Sequence, residues 1–213
     1  DQLEAIRIDP NASLSDYENY ILNYHGTKYI ADAKVQLLDF YFTSNINNSN
    51  TLYSSRAMSS KMAELEKKYN KRYSNEKRNK INQKIKQLVN ENDQSVVNKL
   101  KSAKTKTAYW NVLKKQYKIE NNATTENLTD LRNIKSRAFN NPNVIINGGF
   151  AIWDIDDSKS NFKYENGRLF GKKITYYPSG EKRFVEEYDN NGRFISRTEY
   201  LKNGLSVNES KAI

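Results

Sequence analysis

The chain has 213 residues, with 35 Lys/Arg against 25 Asp/Glu, one histidine and no cysteine. That length allows one large domain or two small ones, and the lack of cysteine excludes disulfides, thiolate metal sites and cysteine nucleophiles. The hydrophobic share is 37%, low for a globular chain, but fifteen tyrosines and eight phenylalanines supply core rings and argue against disorder.

No run approaches the ~18 apolar residues of a membrane-spanning helix. The opening Asp1, in place of an initiator methionine, is expected of either a trimmed chain or a mature form, in which a removed signal peptide or lipoprotein leader would leave no trace. The net charge of +10 is uneven. Residues 1–60 carry four Lys/Arg against seven Asp/Glu, residues 61–119 seventeen against five, and residues 120–213 fourteen against thirteen. The basic excess belongs to the middle.

Asp9-Pro10 marks a turn, and Ser15 is placed to cap a helix with Tyr17, Tyr20, Ile21 and Tyr24 on one face, ended by Gly26. A second helix from Lys28 puts Ile30, Ala33, Val35, Leu37 and Leu38 on its inner side. Residues 16–34, Asp-Tyr-Glu-Asn-Tyr-Ile-Leu-Asn-Tyr-His-Gly-Thr-Lys-Tyr-Ile-Ala-Asp-Ala-Lys, carry a resemblance. They resemble helix pairs of tetratricopeptide-like repeats in bacterial envelope proteins, which read Tyr-x-x-Tyr-Leu-x-x-Tyr-Pro-x-Gly-x-Tyr-x-x-x-Ala. Here His25 replaces the usual proline. Weaker echoes are Met62 to Tyr69 followed by Ile81, Ile85, Leu88 and Val89, and Ala108 to Tyr117 followed by Leu128, Leu131 and Ile134. The expectation is three stacked helical hairpins, parted at Asn45–Asn50 and again at Asn90–Asp93.

Asn140-Asn-Pro-Asn143 breaks the helical pattern and sets the expected domain division, 1–139 helical and 143–213 β. Val144 to Asp154 reads as two strands about an Asn147-Gly148-Gly149 turn. The C-terminal part repeats one phrase: Tyr164-Glu-Asn-Gly167, Tyr177-Pro-Ser-Gly180, Tyr188-Asp-Asn-Asn-Gly192 and Tyr200-Leu-Lys-Asn-Gly204. Short β-prone runs lie between, so a small antiparallel sheet is expected. Through residues 176–182, 188–193 and 199–204 this ladder resembles the MORN-like repeats of bacterial surface proteins and of a family of antitoxin or immunity proteins. The fold class expected is therefore α+β, a tetratricopeptide-like helical array followed by a MORN-like sheet.

The chemistry-bearing residues are sparse. His25 stands alone at a turn without an orienting partner or nucleophile in its phrase. Asp154, Asp156, Ser158, Ser160 and Glu165 have the spacing of calcium-loop ligands, but Lys159 replaces the glycine of the bend. Asp154-x-Asp156 after an apolar strand resembles a phosphatase nucleophile motif, yet too little chain follows for the sheet that motif needs. A solvated acidic turn is the better reading. No catalytic residue, metal or cofactor is therefore expected, and the chain reads as a non-enzyme.

Both repeat resemblances imply binding surfaces. Tyr176, Tyr177, Phe184, Tyr188, Phe194 and Tyr200 are the expected partner-binding residues, with Tyr176 and Tyr177 on opposite faces of the sheet. A protein partner is expected, with a glycan or envelope polymer as the alternative. The setting expected is a bacterial cell envelope, periplasmic or extracellular, peripheral or lipid-anchored. Two further alternatives remain open: an immunity protein capping a toxin, and anionic-surface or nucleic-acid binding through the basic middle. The latter lacks any zinc motif, RNP signature or helix-turn-helix pattern.

Overall fold

In the computed structural model, which describes residues 2–211, seven helices precede a six-stranded antiparallel sheet, an α+β arrangement with the helices N-terminal. Two compact units divide between Val89 and Asn90.

The first unit holds α1 (Gln2–Ile8), α2 (Leu14–Asn23), α3 (Ile30–Ile46), α4 (Leu52–Tyr69) and the start of α5 (Asn75–Ser102). Ser13, rather than Ser15, opens α2; its backbone N–H donates to the Asp16 carboxylate at 2.7 Å. Thr51 caps α4 by accepting from the Ser54 N–H at 3.0 Å. The core gathers Tyr17, Tyr20 and Ile21 from α2 with Ala33, Leu37, Leu38 and Phe42 from α3, and Met58, Met62 and Leu65 from α4. Two expected inner residues point elsewhere. Tyr24 ends beyond α2, and Val35 is exposed because a residue two positions past Ala33 lies on the opposite side of a helix.

The second unit joins the rest of α5 to α6 (Lys106–Asn121), α7 (Leu128–Asn140) and the sheet. Asn90–Asp93, expected to separate two hairpins, instead lies inside an unbroken α5. The break comes at Ala103–Thr105, where Thr105 caps α6 by accepting from the Ala108 N–H at 3.1 Å. Asn127 does the same for α7, accepting from the Asp130 N–H at 2.9 Å. Asp93 is fully buried, and three helices converge on it and Glu120 through Arg137 and Asn141.

Compactness therefore groups the chain differently from a division at 139/143. Val96, Val97 and Leu100 of α5, Tyr109 and Leu113 of α6, and Leu131, Ile134 and Ala138 of α7 share one core with Phe150 of the sheet. The helices next to the sheet need its apolar first strands to complete their burial.

The strands are β1 (Gly148–Trp153), β2 (Lys159–Glu165), β3 (Arg168–Tyr176), β4 (Lys182–Tyr188), β5 (Phe194–Tyr200) and β6 (Ser206–Lys211), hydrogen-bonded in chain order. Asn147-Gly148-Gly149 does not turn the chain. Asn147 Oδ1 accepts from the Asn166 N–H at 2.7 Å and the Ile146 carbonyl from Gly167 at 3.1 Å. Those contacts hold the segment beside the β2–β3 turn, and residues 144–154 contain the single strand β1 rather than two.

Candidate interaction surface

Three of the sheet's turns have one geometry. The N–H of Tyr177, Asp189 and Leu201 donates to the carbonyl four residues on, at 2.8, 2.9 and 2.9 Å, and Gly180, Gly192 and Gly204 close the inner bond. All three glycines have positive φ, as this turn requires. The tyrosine that keeps step with them is Tyr176, not Tyr177: each phrase is Tyr-x-x-x-Gly at 176–180, 188–192 and 200–204. The β1–β2 connection repeats the outer bond, Asp154 N–H to Ser158 carbonyl at 2.9 Å, with Asp157 at φ 63° in the glycine's place. Trp153 then stands where the later phrases have tyrosine.

That turn accounts for the acidic cluster. Asp154 accepts from Arg132 and from the Ile155 N–H at 2.7 Å. The Arg132 hydrogen bond holds its carboxyl below the usual carboxylate range, against the effect of burial. Asp156 accepts from the Ser158 N–H at 3.0 Å, and Lys106 pairs with Asp157. Ser160 faces Thr175 across the sheet at 2.9 Å, and Glu165 sits at the far end of β2. The five oxygens with calcium-loop spacing therefore do not converge. His25 Nδ1 lies 2.9 Å from the Leu22 carbonyl at an exposed turn.

The pairing register divides the strands into two faces. On one, Phe150, Phe162 and Tyr164 pack on Phe139 of α7, with ring centroids 5.2, 6.3 and 6.0 Å away. Continued across β3–β6, that face carries Lys173 and Thr175, then Phe184, Glu186 and Tyr188, then Arg197 and Glu199. Lys173 pairs with Glu186 at 2.6 Å. The other face carries Trp153, Lys159 and Tyr176 in one row, with the Lys159 ammonium 5.6 Å and 5.8 Å from the two ring centroids. Beyond β1 no sheet residue is fully buried on either face.

The six expected partner-binding residues do not share one platform. Phe184 and Tyr188 lie on the α7 side, with Phe194 edge-on to Tyr188 at 6.0 Å. Tyr176 and Tyr200 lie on the reverse by strand alternation. Tyr177 stands in its turn and donates its hydroxyl to the Tyr200 carbonyl at 3.0 Å.

What the structure does bring together is a row that sequence reading only half identified. Arg183 lies over both Tyr177 and Phe184, at 5.5 and 4.9 Å from their centroids. Arg197 covers Phe184 at 3.8 Å, and Lys202 covers Tyr177 at 5.7 Å. A register shift between β3 and β4 lets the successive residues Arg183 and Phe184 join the same row. Among the described residues none of these three cations has an ion-pair partner. A guanidinium stacked on a ring keeps its N–H edge available for an incoming acceptor.

The chain matches no protein-family profile, no curated protein and no solved structure. No helix among the described residues is long and apolar enough to cross a membrane.

Proposed function

We propose that the chain is a non-enzymatic interaction protein of a bacterial cell envelope, and that it binds a protein partner bearing acidic side chains. The binding element is the row Lys202–Tyr177–Arg183–Phe184–Arg197. One observation carries this reading: three cations are stacked on two half-exposed rings, and among the described residues none of the three is in an ion pair. Rings and arginines are the side chains that most often anchor protein interfaces. Beyond β2 no described residue of the sheet belongs to the second unit's core or packs against it, which leaves β3–β6 half-exposed for a partner. The envelope setting and the tetratricopeptide-like and MORN-like readings draw support from the quoted sequence phrases.

The test uses the full chain as bait in native envelope extract. A partner captured reproducibly by the unaltered chain is expected to be lost at least tenfold with Arg183→Glu/Arg197→Glu. It should be retained with Lys172→Glu, which reverses a charge on the opposite face. Capture indifferent to the double reversal overturns the reading. Capture that survives protease treatment of the extract replaces the protein partner with an envelope polymer.

A further inference from the structure

The elbow between α4 and α5, within the first unit, carries a separate set of cations. Of the ten Lys/Arg between Lys61 and Lys86, five are already engaged. Lys61 pairs with Glu64 at 2.6 Å, Lys68 with Glu18 at 2.8 Å, Lys77 with Asp39, and Arg78 with Glu66 at 2.5 Å. Lys84 donates to the Ile46 carbonyl at 2.7 Å. Lys67, Lys71, Arg72, Lys80 and Lys86 have no ion-pair partner among the described residues.

Three of those five, Lys67, Lys71 and Arg72, line a single open cleft of about 660 Å³ together with Arg78. The one acid on its wall, Glu66, is already held by Arg78 and by the Tyr73 N–H at 2.7 Å. The last turn of α4 lines the cleft with its carbonyl end, whose partial negative charge of about half a unit is outweighed by four cationic side chains, so the side chains set the sign. It is positive.

The cleft shares Ala63, Glu66 and Arg78 with a recess of about 170 Å³, whose wall also includes Ser59, Tyr73 and Asn82. Two polar groups of that wall are buried without a hydrogen-bond partner, the Tyr73 hydroxyl and Arg78 Nε. Tyr73 is only 4% exposed. Burial raises its phenol above the ordinary range, so the hydroxyl stays protonated at neutral pH and able to donate. A guanidinium nitrogen can only donate. The recess therefore asks for an acceptor, and the cleft asks for negative charge.

We propose that the α4–α5 elbow binds a phosphate group, held by Lys67, Lys71, Arg72 and Arg78 with the Tyr73 hydroxyl as a neutral donor. Phosphate satisfies both demands, because its oxygens accept from several directions at once while a carboxylate presents two in one plane. Lys80 and Lys86 lie outside the cleft, so the free cations along α5 do not extend it into a track for a polymer backbone. The phosphate is either free or the monoester of a lipid headgroup. This site is independent of the sheet row.

Calorimetric titration of the full chain with inorganic phosphate, at about 0.15 M ionic strength, is the direct test. A saturable single site is expected. Lys71→Glu/Arg72→Glu should weaken it more than tenfold. Tyr73→Phe, which removes only the hydroxyl, should weaken it about three- to tenfold without lowering the melting temperature. Flotation with phosphatidate vesicles, against phosphatidylcholine alone, separates the sources. Vesicle binding that shows the same variant dependence assigns the headgroup, and saturation by inorganic phosphate without vesicle binding assigns a soluble ligand. The proposal is overturned if neither probe binds, or if Tyr73→Phe binds phosphate as tightly as the unaltered chain.

Discussion

Arg137 is set between two buried carboxylates, Asp93 and Glu120. Its Nε donates to Asp93 at 2.8 Å, and its two terminal nitrogens donate to the oxygens of Glu120 at 2.8 and 2.6 Å. Asn141 donates to the second oxygen of Asp93 at 2.8 Å, and Gln116 to Glu120 at 3.0 Å. A bidentate guanidinium with amide support is the geometry in which a buried pair can offset its desolvation. Removing the cation alone strands two charges in a site built to hold them. Arg137→Ala is therefore expected to cost about 3–5 kcal/mol in urea unfolding. Replacing Asp93, Glu120 and Arg137 together by leucine should cost less than that single change. If the triple variant is the less stable of the two, stranded charge is not what the single change exposes. None of this was legible in the sequence. Asp93 and Arg137 are 44 positions apart, and a polar run at Asn90–Asp93 has the composition of a linker. It persists as helix with Asn90 and Asp93 held by Arg137 of α7 and by Asn141 just after it, a tertiary fact that local propensity does not carry.

At the scale of the elements, the three five-residue turns share a hydrogen-bond pattern but not a steric setting. Gly180 and Gly204 have open space where a Cβ would stand, whereas one at Gly192 would lie 2.8 Å from the Arg168 Cβ. Gly204→Ala should cost only the left-handed strain, about 1–2 kcal/mol. Gly192→Ala adds a clash with a backbone-proximal carbon, and should lower the melting temperature further than Gly204→Ala does. Equal losses would mean that Arg168 moves aside freely. These turns were the most legible part of the chain, because positive φ forces glycine at a fixed step and local chemistry alone sets it. Two errors came from the same source. The repeated phrase aligns Tyr177 with Tyr188 and Tyr200 although Tyr176 keeps the 12-residue step, and the acidic turn expected around Asp154–Asp156 is not recognisable as a copy of the glycine turns because aspartate holds the left-handed position. The surface row was half legible: rings announce themselves in a polar strand. The stacking of Arg183 on two of them depends on a register shift that alternation does not predict.

For the whole molecule, the separation of cores has consequences of its own. The cluster around Leu37, Leu38 and Leu65 and the cluster around Leu100, Leu113 and Ile134 have no residue in common, although α5 contributes to both. The helices thus form two groups, because α6 and α7 find in the apolar strands β1 and β2 a surface that α2 and α3 do not provide. Leu65 is fully buried in α4, and Leu65→Ala should cost about 2–5 kcal/mol through lost burial and the cavity left behind. With separate cores that loss is local. Hydrogen exchange should quicken in the amides of α2, α3 and α4 while those of β3–β5 keep their protection. Leu113→Ala should do the reverse, loosening α6, α7 and β1 and sparing α2. Uniform acceleration across all helices and strands after either change would instead make the chain one cooperative unit, with α5 transmitting the loss along its length.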